Sequence, residues 1–286
     1  MSIDALTDAE VTPGAHASPS SWQAGSALAQ REIVRFFRQP NRVVGALGQP
    51  LLFWLLFSVG LNRSFRVPEQ NFGQYYIPGT LVLILLFTAI FSTISIIEDR
   101  KEGFLQSVLI APVSRWATVL GKVLGGACIA WLQSLIFLAL ALTFGSGTGV
   151  GEAIQIVILL ALSGVAFTAL GFVIAWRLDS TQGFHAIMNL LLLPMWLLSG
   201  AFFPIPSLGE GGTLAEYGMH WLMRLNPVTY VVSGIRQLFS STLAVESGNF
   251  WLPNLPLCWI VSLGFAVSIF ALAGYTAKQR TSGDLL

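Results

Sequence analysis

Six blocks of this sequence are apolar over about the ~20 residues that a helix needs to cross the hydrocarbon of a bilayer. They run over 43–61, 75–97, 116–144, 154–176, 184–203 and 257–275. Inside hydrocarbon every backbone amide and carbonyl must be bonded within the chain, so such blocks fold as helices. Composition agrees: 54% of the residues are hydrophobic, only 10% are charged, and the mean hydropathy is +0.71. A soluble chain carries about 25% charged residues, and so few charges cannot cover a water-facing surface. The chain reads as an all-α integral membrane protein.

Residues 1–21 are rich in Ala, Ser, Pro and Thr and hold no long apolar core. They read as a disordered cytoplasmic leader rather than a signal peptide. Over 22–42 the pattern becomes amphipathic. Arg31, Arg35, Arg38 and Arg42 share one side of a helix, with Ala29, Ile33, Phe36 and Phe37 away from them. The expected placement is along the membrane surface, aromatics in the interface and arginines toward water or lipid headgroups. A plain basic anchor before the first span is the other reading.

The polar interruptions divide the chain further. Pro50 is expected to bend the first span, and 62–74 reads as a loop. Lys122 lies near enough to the start of the third span for its ammonium to reach the interface. Gly121 and Gly125 allow another helix to approach closely, inside the subunit or at a dimer seam. Asn189 suits an interhelical hydrogen bond, the more economical reading, or a substrate contact, and Pro194 is expected to distort the fifth span. The long connection 204–256 contains two moderately apolar pieces, 214–225 and 228–243, separated by Asn226 and Pro227. They read as short interfacial or re-entrant outer helices, or as a hairpin of two further crossings. Residues 276–286 form a tail with Lys278 and Arg280.

Orientation follows from the basic residues. With the amino terminus inside, Arg31, Arg35, Arg38, Arg42, Arg100, Lys101, Arg115, Lys122, Arg177, Lys278 and Arg280 are cytoplasmic or at the cytoplasmic edge. Arg63, Arg66, Arg224 and Arg236 are outside, completing the fifteen Lys and Arg. The positive-inside bias puts both termini in the cytoplasm.

Catalytic signatures are lacking: the sequence has no GxxxxGK[ST], no His/Cys metal-ligand spacing and no GxSxG. A net charge of +1 gives no basis for nucleic-acid binding. Cys128 and Cys258 read as packing residues. The most informative segment is 98–115, the cytoplasmic connection between spans two and three. It opens on Glu98, Asp99, Arg100, Lys101 and Glu102, which cannot continue through hydrocarbon cheaply. Phe104, Leu105, Val108 and Leu109 then mark the apolar side of a short helix that Pro112 ends. Such a helix fits the headgroup region or a groove on a partner.

The run from Glu98 to Trp116, continuing to Leu120-Gly121-Lys122, resembles the cytoplasmic signature of ABC-2 type transporter permeases. Leu198-Ser199-Gly200-Ala201-Phe202-Phe203-Pro204 and Leu225-Asn226-Pro227-Val228-Thr229-Tyr230 resemble that family's region between spans five and six. The likeness extends over approximately 24–280 and is greatest to the bacterial drug-resistance and nodulation-factor export branch. It implies a six-transmembrane-helix permease half with an amino-terminal interfacial helix (Arg31, Arg35, Phe36, Phe37, Arg38) and outer re-entrant helices turning at Asn226 and Pro227. It implies an ATPase-coupling element carrying Glu98, Arg100, Lys101, Glu102, Phe104, Leu105, Val108 and Leu109. The implied partners are a cytoplasmic ABC ATPase dimer holding ATP and Mg2+, a second permease half forming a homodimer, and membrane lipids. The implied cargo is an amphiphilic drug, lipid, glycolipid or polysaccharide, exported across a bacterial inner membrane; no cofactor is assigned to this chain. A noncatalytic membrane scaffold or assembly factor recruiting a cytoplasmic partner is the alternative.

Overall fold

A computed structural model describes residues 20–61, 72–110, 113–143, 148–206, 213–239 and 251–279. The leader expected over 1–21 falls outside these residues except for Ser20 and Ser21. Most of the first loop, Pro112, parts of the later connections and the tail from Arg280 also lie outside them. The described residues form eleven α-helices: α1 Ser21–Phe37, α2 Pro40–Leu61, α3 Phe72–Ser92, α4 Ile94–Lys101, α5 Phe104–Ile110, α6 Arg115–Leu142, α7 Val150–Trp176, α8 Thr181–Trp196, α9 Leu214–Leu225, α10 Pro227–Phe239 and α11 Leu255–Lys278. Among them, five units are long and apolar enough to cross a membrane: α3 with α4, α6, α7, α8 with the turn that follows it, and α11. In α2, the apolar stretch Pro50–Gly60 is shorter.

The boundaries follow local chemistry. Ser20 caps α1 by accepting from the Gln23 amide, and the Gln23 side chain answers at the Ser20 amide. Thr213 and Glu216 do the same for α9, and Asn254 caps α11. Phe72, Gly73 and Gln74, expected in a loop, form the first turn of α3 instead. Phe72 is buried and its ring stacks on Tyr76, so apolar contact extends the helix outward. Between α4 and α5 the chain turns at Gly103, whose φ of +77° is the left-handed conformation that glycine adopts without penalty.

Span five is broken where Pro194 and Gly200 act together. Pro194 has no amide to donate, and after Trp196 the chain widens into a π-helical turn, Leu197–Ala201, that ends with Gly200 at φ +77°. Carbonyls around this turn are taken by side chains of the α9 and α10 pair and of α3. Asn226 Nδ2 donates to Met195 O at 2.5 Å and Arg236 Nη2 to Gly200 O at 2.9 Å, where the Tyr75 hydroxyl also donates at 3.4 Å. Asn226 Oδ1 also accepts from the Val228 amide, holding the bend between α9 and α10. Asn189, expected to bond another helix, lies exposed on α8; the buried face of that helix is apolar, made by Phe184, Met188 and Leu192.

Helix ends are gathered by hydrogen bonds. Ser21 and Ser114 hydroxyls meet at 2.9 Å, joining the starts of α1 and α6. Arg115 donates to Ala277 O and Lys278 O at the end of α11. Arg100 on α4 donates to Trp176 O and Leu178 O at the end of α7, and to Asp179. One end of the bundle therefore carries Arg100, Arg115 and Lys278 together.

Candidate functional site

The helix α1 runs beside α6 in the same direction. Ala117 and Gly121 face Gly25, and Gly125 faces Ala29 and Glu32. A Cβ on Gly121 would come 2.5 Å from that of Leu28 and 2.8 Å from Gly25 O, and one on Gly125 would come 2.8 Å from the Glu32 Cβ. The small-residue pair seen in the sequence therefore serves packing within the subunit.

This approach brings charges together. Asp99, whose side chain is 0% exposed, accepts from Arg31 through both oxygens at 2.9 and 3.1 Å, and from Arg35 Nη1 at 2.8 Å. The Lys122 ammonium donates to its Oδ2 as well. These four hydrogen bonds use the acceptor capacity of one carboxylate. Lys122 also reaches Glu32 at 2.7 Å and the Ser95 hydroxyl at 3.2 Å. Arg31 Nη1 reaches Glu32 at 3.1 Å, and Arg35 Nη2 reaches Glu98 at 3.0 Å and Glu102 at 3.5 Å. Three cations, Arg31, Arg35 and Lys122, thus meet Asp99, Glu32, Glu98 and the more exposed Glu102, and the cluster ties α1, α4 and α6 at one place. Burial alone would lower the Arg31 pKa, but its hydrogen bonds and charge contact with Asp99 hold it above the ordinary guanidinium value.

Two expectations change here. The arginine side of α1 faces protein carboxylates rather than headgroups, because α4 presents its acids to it; Arg38 stays exposed. Lys122 does not extend to the interface: it is 4% exposed, held inside by Glu32 and Asp99. Within the charged run after Ile97, Asp99 is enclosed by its partners while Lys101 and Glu102 are exposed. Asp99 and Glu32 were absent from the expected site residues. The lone acid of α1 and the lone base within an apolar span were the signal that could have found them, because unpaired buried charges are too costly to persist.

The segment expected as one element is split at Gly103, and its apolar side faces inward. Leu105 is 2% exposed in the core, Leu109 packs against that core, and Phe104 lies under Arg31 with the guanidinium 3.8 Å from the ring centroid. Lys101, Glu102, Ser107 and Ile110 face outward, Ile110 at 84% exposure. Phe36 is buried and Phe37 exposed on α1, and Asn226 and Pro227 stand at the bend between α9 and α10. Among the described residues no three His, Cys, Asp or Glu side chains converge as metal ligands would.

Residues 23–240 match the family described as ABC-2 type transporter. The chain is 27% identical over 247 residues to a daunorubicin resistance ABC transporter permease protein, DrrB1, of Streptomyces coeruleorubidus, covering 84% of this chain and 81% of that one. It is 26% identical over 254 residues to a Porphyra purpurea chain whose name describes it as a transport permease, ycf38, covering 85% and 82%. The inner membrane transport permease YadH of Escherichia coli K12 is 23% identical over 222 residues, covering 76% and 83%. A match over more than half the chain, with both the charged turn at Glu98 and the Asn226-Pro227 bend inside it, places this multi-pass membrane protein among the ABC-2 type transporter permeases.

Proposed function

We propose that this permease exports an amphiphilic drug, lipid, glycolipid or polysaccharide, driven by an ATPase pair that docks on the outward side of α4 and α5. The family makes the chain a membrane subunit of an ABC exporter that works with an ATPase subunit. The observation carrying the docking assignment is the charge cluster at the base of α5. It fastens α4 to α1 and α6, while Arg100 fastens α4 to the end of α7. A push on α5 is therefore delivered to several helices together. Glu98, Phe104, Leu105, Val108 and Leu109 transmit the displacement, and Lys101, Glu102, Ser107 and Ile110 offer the contact surface.

In this reading α2 is the sixth crossing. Its 22 residues extend ~33 Å at 1.5 Å per residue, enough for hydrocarbon. An even number of crossings returns both termini to one side, and the basic end of the bundle fits the cytoplasm of a bacterial inner membrane. α1 lies at that interface, α9 and α10 are the outer re-entrant pair, and a second copy completes the permease. The exposed apolar side of α8, with Leu190 78% exposed, favours a second copy along that face. ATP and Mg2+ belong to the ATPase partner. Nucleotide-driven closure of that pair moves α5 and changes the spacing between the two bundles, opening a path for a cargo entering from the cytoplasmic leaflet.

Co-reconstitution with its ATPase in proteoliposomes tests this. Ile110→Asp, at an exposed position, should lower ATPase association and substrate-stimulated ATP turnover about tenfold or more, the scale of losing a central interface residue. Glu98→Lys should uncouple turnover from cargo movement. Unchanged coupling in a folded Ile110→Asp protein rejects the docking assignment.

A further inference from the structure

Asn189 lies on a face of α8 that its own bundle leaves uncovered. With the turn that follows it, α8 forms one of the units long enough to cross a membrane, Thr181–Ala201. At 1.5 Å per residue Asn189 stands about 12 Å from the start of that unit. Around it Ile187, Leu190, Leu191 and Leu193 are all exposed. The Asn189 side chain makes no hydrogen bond with any described residue. His185, one turn earlier, differs: its Nδ1 donates to Thr181 O at 2.7 Å and its ring lies beside that of Phe91. A primary amide has two donors and two acceptor lone pairs, and leaving them unbonded in hydrocarbon is costly. At such a depth the group that satisfies an amide is supplied by another helix.

The sequence around the amide matches it to a copy of itself. Gln182, Ala186, Asn189 and Leu193 are all exposed and are spaced four, three and four apart, the spacing of a seam between two parallel helices. Phe184, Met188 and Leu192 are turned into the bundle, so this seam is open. Ala186 is small and permits a close approach. No Asp, Glu, Lys or Arg occurs in α8, so a second copy can lie along it without like charges meeting. Two copies inserted by the same positive-inside rule are parallel. A twofold axis along the membrane normal then sets a residue on the seam against its own counterpart at the same depth. An amide offers that counterpart both a donor and an acceptor.

We propose that the Asn189 side chains of two copies hydrogen-bond to each other across this axis and set the register of an α8 seam. The inference rests on the second-copy reading above and names the contact that defines it. Gln182, Ala186 and Leu193 close around the pair, and the seam ends where the π-helical turn begins. An apolar stripe alone would let the copies slide along one another; one amide pair stops them at a single depth.

Single-cysteine chains in a Cys128→Ala, Cys258→Ala background, oxidised in native membranes, test the geometry. Asn189→Cys and Ala186→Cys should give disulfide-linked dimers, and Leu191→Cys, on the far side of the exposed arc of α8, should not. Dimerisation of the full chain on dilution in lipid bilayers, read by energy transfer between labelled copies, tests the chemistry. Asn189→Leu should weaken it about three- to tenfold, the worth of one interhelical hydrogen bond in a membrane, and Asn189→Gln, which keeps the amide, should recover most of the loss. Cross-linking at Leu191→Cys in place of Asn189→Cys overturns the seam and leaves the second copy standing. Unchanged dimerisation of Asn189→Leu with lowered cargo-stimulated ATP turnover overturns the pair and assigns the amide to the cargo. A parent chain that forms no dimer, alone or with its ATPase, overturns the second-copy reading and this inference together. If Asn189→Leu fails to fold, the cross-links decide alone.

Discussion

Asp99 and Lys122 show how a buried charge is tolerated. Each is enclosed by groups of opposite charge, and every carboxylate oxygen of Asp99 has two donors. Removing the anion should be worse than removing one cation. Asp99→Asn leaves Arg31, Arg35 and Lys122 facing one another, a loss of ~3–5 kcal/mol for a broken buried pair. Lys122→Met leaves Arg31 to serve both Asp99 and Glu32, so its cost should be smaller. Thermal melts followed by size exclusion in detergent check the order; Asp99→Asn melting with the wild type would refute it. Gly121 offers a second test. Gly121→Leu pushes against Leu28 and Gly25 O, so it should separate α1 from α6. The hydroxyls of Ser21 and Ser114 are 2.9 Å apart, and a Ser21→Cys, Ser114→Cys pair should cross-link in the parent protein but not beside Gly121→Leu.

At the scale of elements, the broken fifth span shows how a membrane helix can lose backbone bonds without paying for them in lipid. The π-helical turn frees carbonyls, and the α9 and α10 pair returns donors to them from Asn226 and Arg236. Asn226→Ala should therefore cost ~1–3 kcal/mol, the penalty of an unsatisfied buried acceptor, and Arg236→Met less, because the Tyr75 hydroxyl also donates to Gly200 O at 3.4 Å. Leu222→Ala, on the exposed side of α9, should change stability by no more than ~0.5 kcal/mol. The same melts compare them, and equal shifts for Asn226→Ala and Leu222→Ala would show that the carbonyls find other donors. The break was partly legible: Pro194 and Gly200 announced it, and Asn226-Pro227 announced the bend opposite. That the two features cap each other was not, because periodicity contains no information about which side chain reaches which carbonyl across thirty residues of chain.

At the scale of the whole molecule, the basic helix ends collect on one side, and topology becomes a single measurable statement. In a Cys128→Ala, Cys258→Ala background, Ser107→Cys should react with an impermeant maleimide only in inverted vesicles. Thr213→Cys, at the start of α9, should react only in intact cells. Labelling of Ser107→Cys from outside would reverse the orientation.

Much of this architecture is written in hydropathy. Apolar length sets where helices cross, since hydrocarbon forbids unbonded backbone, and the blocks around 75–97, 116–144, 154–176, 184–203 and 257–275 coincide with helices long enough to do so. The pieces 214–225 and 228–243 likewise begin as α9 and α10 begin, within a residue. What the sequence determined by itself was thus the class of fold, its order of helices and the charged turn after Ile97. Tertiary structure alone decided which way the amphipathic faces turn. The arginines of α1 carry the same helical stripe whether they meet headgroups or Asp99, and Phe104, Leu105 and Leu109 carry the same stripe whether they meet a partner or the core. A stripe fixes that one side of a helix must be satisfied. Only the positions of α4, α6 and the bundle fix what satisfies it.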